Sequence, residues 1–414
     1  MTESYWQRDA SWADRWATTA VQRDVDLAII GGGFAGLATA IRYREQNPAA
    51  RVLLLEAERV GSGASGRNAG FLSPLAAPVW LLGAERIPEH AWGAARINAL
   101  VHEQARWIAA HVPDCEIAPA RLALQARTRV ADASLATFAR AVAHTGLAHE
   151  ARESRVWPGH RVLAMDAYTL HPYKLVRGLA LHAEQLGIQI RERARVSRAE
   201  AQRAGGARVH LEDGTVIEAG KVVLCTNAYT PELDAGERVR GAFVVHSFLA
   251  ASAPLPALPR RDGEFTVEVT PSQSYHRTHG GRVIYGGVDK LRAPTGAERG
   301  ELERQIAGSF PDARVPIEHV WTGRFQTTVT GLPIIRMAED NHAIVFNVAY
   351  GGTGVALSLA CARLAAAVAS HGKFTSADDT RLLALIHATR ISVRDAARTI
   401  ARIARAAAMP WLRA

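Results

Sequence analysis

Hydrophobic and polar positions first fall into register at residues 25–58, VDLAIIGGGFAGLATAIRYREQNPAARVLLLEAE. Two strand-sized apolar runs, 27–30 and 52–55, flank a stretch of helical periodicity, which predicts a β-α-β unit. Helical spacing returns at 85–110 and 132–144, and at 173–186, where Gly187 stops it. Short strands are predicted at 188–195, 207–211 and 216–218, with Asp213-Gly214 as a hairpin turn, and a buried strand at 221–226. Residues 242–251, 264–270 and 282–287 alternate like strands of an antiparallel sheet. A further strand at 342–349 precedes a buried helix at 354–370. Residues 377–407 read as a helix with arginines along one solvated face, and 1–21, bearing Tyr5, Trp6, Trp12 and Trp16, as a segment wrapping the body. With no internal repeat and no low-complexity linker, the domains are expected to interleave.

The first unit carries Gly31-x-Gly33-x-x-Gly36 between strand and helix, and Glu56 ends the second strand about twenty residues later. Gly31 lets the chain turn out of the strand, Gly33 lets a pyrophosphate approach the backbone, and Gly36 lets the helix pack closely on the sheet. Phe34 and Ala35 open that helix, whose free N–H groups and dipole favour phosphate. Glu56, followed by Ala57, is placed to accept from an adenosine ribose, and it would repel a 2′-phosphate. A dinucleotide site is therefore expected.

A nicotinamide domain would continue with a helix and a third parallel strand. The chain instead enters GSGASGRNAGF at 61–71. That loop leaves many N–H groups free, and Ser65, Arg67 and Asn68 add donors suited to a phosphate or to isoalloxazine oxygens. Gly351, Gly352 and Gly354 open a late turn, and the start of the following helix can stabilise negative charge there.

Composition narrows the partners. The chain has 414 residues, 48% hydrophobic, enough for two cores. No signal peptide is visible, and the apolar run at 356–369 is too short and interrupted for a span, so no membrane is expected and a cytoplasmic protein is. Cys115, Cys225 and Cys361 form neither a metal pattern nor a disulfide framework, and no metal site is expected. The net charge is +9, nearly all of the cations being arginine, since lysine stands only at 174, 221, 290 and 373. No basic block interleaved with aromatics accompanies it, so nucleic acid is not expected as a partner.

GGGFAG, LLEAE and GASGRNAGF resemble the FAD-dependent D-amino-acid oxidase, glycine oxidase and sarcosine oxidase family, gamma-glutamylputrescine oxidoreductase most closely. Residues 170–196, 222–233 and 347–360 are similar to later family segments. The resemblance implies an α/β fold, a Rossmann-like FAD domain at 22–85, 155–240 and 322–414, with an antiparallel-sheet α+β substrate domain at 86–154 and 241–321. It assigns cofactor contacts to Gly31, Gly33, Phe34, Ala35, Gly36, Glu56, Ala57, Ala64, Ser65, Gly66, Arg67, Asn68, Ala69, Gly70, Phe71, Val196, Thr226, Asn227, Gly352, Thr353, Gly354 and Val355. The family's tethering cysteine has no counterpart at 321–333, so FAD is expected to be non-covalent.

Relatives of glycine oxidase read W-x-G-x-R-P-x-T-x-D-G-x-P in that segment, and the arginine clamps a substrate carboxylate. Trp321, Gly323, Thr328, Gly331 and Pro333 are in step, but Phe325 replaces the arginine, Arg324 lies one residue earlier, and a second family arginine matches Gly352. The substrate implied is an amine without an α-carboxylate, polyamine-derived or N-alkyl. It would be oxidised to an imine by hydride transfer to flavin N5 and then hydrolysed, with oxygen or another acceptor taking the electrons. Pocket candidates are Phe325, Tyr275, Tyr350, Arg324, His246 and His276. An amino acid or aminophosphonate substrate, Arg324 reaching it through a bulge, is the alternative, as is a protein holding FAD only as a structural element.

Overall fold

The computed structural model describes residues 3–389 except 11, 13, 18–19, 75–76, 203–204, 234–238, 259–262, 270–272, 340–341 and 371. The end of the expected C-terminal helix therefore lies outside the described residues; its start, Ala377–Ala388, is helical and N-capped by Ser376.

Asp24–Ile30 and Val52–Leu55 carry continuous apolar runs because both are buried on two faces of a parallel sheet. The order in this sheet is Ile334–Met337, Ile344–Val348, Val216–Leu224, Asp24–Ile30, Val52–Leu55, Gln189–Arg191. All these neighbours run parallel except the first pair. Val196–Ala201 and Ala207–Leu211 extend it from Val216–Leu224 as antiparallel strands. The apparent break at 219–220 vanishes, since Val216–Leu224 is one strand.

Helices Phe34–Gln46, Pro172–Gln185 and Gly354–Ala369 pack together over one face of this sheet, the first touching both others. Gly354–Ala369, with the turn before it, is long and apolar enough to cross a membrane but is mostly buried, as a core helix is.

The second sheet runs Ile317–Thr328, Ala242–Ser252, Arg282–Lys290, Tyr275–His279, Glu264–Glu268, Ala118–Gln125, Arg161–Thr169, Phe71–Leu72. It is antiparallel except where Glu264–Glu268 meets Ala118–Gln125. The expected domain boundaries shift accordingly. Arg161–Thr169 belongs to this sheet, not to the side of the boundary that begins at 155, and Phe71–Leu72 lends it an edge. Ile317–Thr328 is one strand running through the boundary at 322. Pro88–His111 packs on Gly354–Ala369, on the first sheet's side. Helix Glu298–Ser309 covers the outer face of the second sheet, where Phe248, Tyr285 and Val288 form their own core with Leu302 and Ile306.

The aromatic N-terminal segment is packed down. Trp6 is fully buried, its ring 4.9 Å from that of His171 and 4.8 Å from that of His279. Asp9 reaches the same cluster, with its carboxylate 3.3 Å from His171 Nε2. His171 Nδ1 accepts the Lys174 amide at the start of Pro172–Gln185, so in the neutral ring the proton sits on Nε2, facing Asp9. That proton removes Nε2 as a metal ligand, although Asp9, His171 and His279 converge. Burial pushes the His171 pKa down to about 4 from 6.5. The unfolded chain therefore binds a proton between those values that the folded chain refuses, and stability is lost as pH falls from 6.5 towards 4. Thermal denaturation across that range is expected to show a shallower pH slope for His171→Asn, which keeps a capping side chain.

Candidate active site

The glycine fingerprint closes a tight junction. Gly31 sits at φ +113°, and a Cβ there would meet the Cys225 carbonyl oxygen at 2.7 Å. Thr226 and Asn227, which follow the neighbouring strand Val216–Leu224, are thereby brought beside the turn. A Cβ on Gly36 would lie 2.0 Å from the Gly31 carbonyl oxygen. Helix Phe34–Gln46 starts at Gly33 with no side chain of its own as cap. Ser65, from the loop at 61–71, accepts the Phe34 amide instead, at 2.9 Å. Ala35 follows in the first turn.

Glu56 receives the Gly32 amide at 2.7 Å and the Glu58 amide at 3.0 Å across Ala57. Burial raises its pKa, and the two N–H groups oppose that shift. Its backbone joins Ala194, which leads into Val196, half-buried at the start of its strand. Glu56 and Val196 thus share one end of the groove.

Ala64–Gly66 form a short 3-10 turn. Arg67 is buried, donating through Nε to the Ser62 carbonyl at 2.7 Å and through Nη1 to the Thr322 carbonyl at 3.1 Å. Asn68 donates to Ala64 and Ser65 carbonyls and accepts the Gly70 amide, which fixes the loop. The N-terminal segment clasps it from outside: Ser4 Oγ donates to the Gly66 carbonyl and Trp6 Nε1 to the Asn68 carbonyl, each at 2.7 Å. Ala69 is buried, and Phe71 carries the chain into the second sheet.

At the other end, Gly351 sits at φ +61°, where a Cβ would come 2.9 Å from Thr327 Oγ1 of the edge strand. A Cβ on Gly352 would meet nothing within 4 Å. Helix Gly354–Ala369, entered through Thr353 and continuing with Val355, starts without a side-chain cap. Two helix starts with no cap of their own, the first closed by Ser65, and an open glycine turn thus flank the loop at 61–71 and strand Ile317–Thr328.

The family model for FAD-dependent oxidoreductases matches residues 26–368. The chain belongs to this family. It is therefore an FAD enzyme, and the residues present fit that cofactor: the N–H groups left open in the first turn of Phe34–Gln46 would take phosphate, Glu56 a ribose, and the turn at 351–354 leaves room for the ring system. The chain is 28% identical over 381 residues to the oxidoreductase OrdL of Rhizobium meliloti, covering 86% of this chain and 85% of that protein. It is 26% identical over 408 residues to gamma-glutamylputrescine oxidoreductase of Escherichia coli, covering 88% of each. Its fold is similar to that of glycine oxidase from Geobacillus kaustophilus, with TM-score 0.70 and 19% identity over 86% of this chain and 96% of that one.

The flavoenzyme's substrate candidates separate by sheet face. Trp321, Gly323, Phe325 and Thr327 lie on the face towards the cofactor loops: Trp321 Nε1 donates to the Arg67 carbonyl at 2.8 Å, and a Cβ on Gly323 would lie 3.5 Å from Arg67 Cβ. Phe325 is half-buried on that face, opposite Val245. Tyr275 shares it, its ring edge-on to Phe71 at 5.7 Å.

Four candidates are corrected. Arg324 and His246 pair with each other on the opposite face, with no register shift near them to bring Arg324 round. The Arg324 guanidinium stacks on Tyr229 at 4.3 Å and bonds Glu232 at 3.0 Å, so it is spent on the loop after Val216–Leu224. His276 is buried on the outer face against Tyr285 and Phe310. Tyr350 is buried in the first domain, its hydroxyl turned to Asn347 beside Cys225, and burial raises its pKa. It lines no substrate space.

Two crevice residues escaped the sequence reading, Ser247 and Asp289, which face each other across neighbouring strands. The only local signal was the pair Gly286-Gly287 inside a strand pattern, where the reading ended the strand; it runs on to Lys290.

Proposed function

We propose that this enzyme oxidises a primary or secondary amine, polyamine-derived or N-alkyl, rather than an α-amino acid. The observation that carries this reading is Phe325 on the cofactor-facing side of its strand while Arg324 is turned away and engaged by Tyr229 and Glu232. No bidentate clamp for a carboxylate comes from that strand. The similarity to gamma-glutamylputrescine oxidoreductase supports an amine substrate.

Bound FAD supplies the two-electron acceptor for a C–H bond next to nitrogen. The chain's residues position and enclose the substrate. Phe325, Tyr275 and Phe71 offer an aromatic wall that excludes water. The N–H groups at the start of Gly354–Ala369 face the open turn and stabilise negative charge there. We propose non-covalent FAD. Burial pushes the Cys225 and Cys361 thiols up to about 12 and Cys115 to about 11, which leaves them poor nucleophiles. Oxygen is the proposed acceptor, and the cytoplasm the proposed location.

An anaerobic flavin-reduction screen of polyamines, N-methyl amines, α-amino acids and aminophosphonates tests the substrate reading. Amines are expected to bleach the flavin fastest; fastest bleaching by α-amino acids would overturn it. Hydride leaves only the neutral amine, so the reduction rate is expected to climb with pH as the bound ammonium loses its proton. A rate constant from pH 6 to 10 would count against this chemistry.

A further inference from the structure

Arg282–Lys290 changes faces part-way along. Its first half places Val283 and Tyr285 outward, towards helix Glu298–Ser309, where the Tyr285 hydroxyl meets Ser309 Oγ at 2.9 Å. Ile284 points inward to the main core. Strict alternation would then send Gly287 and Asp289 outward with Tyr285. It does not hold, because the register against Ala242–Ser252 shifts: Leu249 pairs with Gly286 but Phe248 pairs with Val288, leaving Gly287 as an extra residue. This is a β-bulge. Val288 takes the outward position, packed with Phe248, and Asp289 turns inward beside Ser247.

The bulge is built from glycine for a steric reason. Gly287 has φ +124°, and a Cβ there would lie 2.4 Å from Ser274 Cα. Gly286 is equally constrained, since a Cβ would come 2.4 Å from the Tyr275 ring. The ring therefore lies across the strand on the inner face, next to Asp289. Bulges concentrate near active sites because they re-aim a single side chain. Here the re-aimed side chain is a carboxylate in a wall otherwise made of Tyr275, Phe71, Val245 and Phe325.

Asp289 is open to solvent, yet protein atoms crowd it enough that burial raises its pKa, against the Ser247 hydroxyl and the charge of the adjacent Lys290, which lower it. No cation is within ion-pair distance of it among the described residues; the adjacent Lys290 is bonded to Glu301 on the outer side. A carboxylate set in an aromatic wall, open to solvent and with its neighbouring lysine bonded elsewhere, attracts a cation from outside.

We infer that Asp289 is the anchor for a second, cationic group on the amine substrate, so that the preferred substrates are diamines or polyamines. This rests on the amine reading above. The reacting nitrogen itself is a poor partner for Asp289, because an adjacent carboxylate would stabilise its protonated, unreactive form. A distal ammonium carries no such conflict. The spacing agrees: Arg282–Lys290 lies two strands from Ile317–Thr328, about 10 Å, and it is the latter that touches the cofactor loops through Gly323 and Thr327.

The test compares α,ω-diamines of three to six carbons with n-alkylamines of equal length on the FAD-loaded enzyme. Anaerobic flavin reduction and calorimetric binding are both measured. The wild type is expected to bind its best diamine at least tenfold more tightly than the matching monoamine. Asp289→Asn is expected to erase that ratio, with monoamine reduction and flavin content within twofold of wild type. Equal treatment of diamines and monoamines by the wild type would overturn the inference, and so would an Asp289→Asn variant that retains the ratio. If monoamines reduce the flavin in either case, the amine reading survives alone. If no amine reduces it, that reading falls and the anchor with it. Asp289→Glu, which keeps the charge on a longer arm, is expected to move the preference to shorter diamines.

Discussion

Gly36→Ala is expected to purify almost free of FAD. Its new Cβ would lie 2.0 Å from the Gly31 carbonyl oxygen and 3.2 Å from Ile29 Cγ2. Neither the turn nor the strand can yield without moving the helix start that presents Phe34 and Gly33 to the phosphates. Overpacking of this kind costs about 1–3 kcal/mol in stability. The larger loss falls on cofactor affinity, because anion binding at a helix start depends on the direction of its N–H groups. Flavin absorbance per mole of protein should drop at least tenfold, and added FAD should not restore it at micromolar concentration. Gly300→Ala is the control. Gly300 lies in helix Glu298–Ser309, and its added Cβ would meet only Arg304 Nη1, at 3.6 Å, so FAD content should be unchanged. Normal flavin content in Gly36→Ala would disprove the close-packing argument.

Arg177→Ala is expected to lower the Tm by about 5 °C. Arg177 Nη1 donates to Glu192 Oε1 at 2.8 Å, with both side chains almost fully buried. The same Glu192 oxygen accepts the Val60 amide at 2.7 Å, which ties the pair to the approach to the cofactor loop. Trp16 covers Arg177 with its ring centre 4.6 Å from the guanidinium carbon, and its carbonyl accepts the Glu192 amide. Removing the arginine leaves a buried, uncompensated carboxylate, a change worth about 3–5 kcal/mol. At about 1 °C per kcal/mol for a chain of 414 residues this gives the expected fall in Tm. Glu192→Gln in the same background should recover much of it, because the neutral amide no longer needs a cation. A Tm within two degrees of wild type for Arg177→Ala would show that solvent reaches Glu192.

The cofactor half of the molecule was legible residue by residue. Gly33 and Gly36 act through contacts inside about thirty residues, whereas Gly31 is pressed by the distant Cys225 carbonyl, and the runs 27–30 and 52–55 are apolar because both sheet faces are covered. The second sheet was legible only in part. Ala118–Gln125, His149–Glu153, Arg161–Thr169, Tyr275–His279 and Ile317–Thr328 were not read as strands. HEARE at 149–153 is largely exposed at the side of its neighbour and carries no alternation. IEHVWTGRFQTT at 317–328 keeps polar residues on both faces, since one face meets the cofactor loops and the other carries Arg324 to Tyr229 and Glu232. Tyr350, named as an aromatic pocket candidate, was misplaced because the backbone turn sends its hydroxyl back to Asn347.

By itself the sequence determined the dinucleotide cradle, because a glycine that must accept a positive φ or a 2.0 Å approach is a local necessity visible in spacing. It also determined the absence of an arginine at position 325. Only the tertiary structure decided which face each substrate-side residue takes. One bulge at Gly287 turns Asp289 inward, and an unbroken register keeps Arg324 outward. In a sheet whose side chains alternate with period two, a single inserted residue exchanges the faces of everything after it, and strand pairing between distant segments is what sets that count.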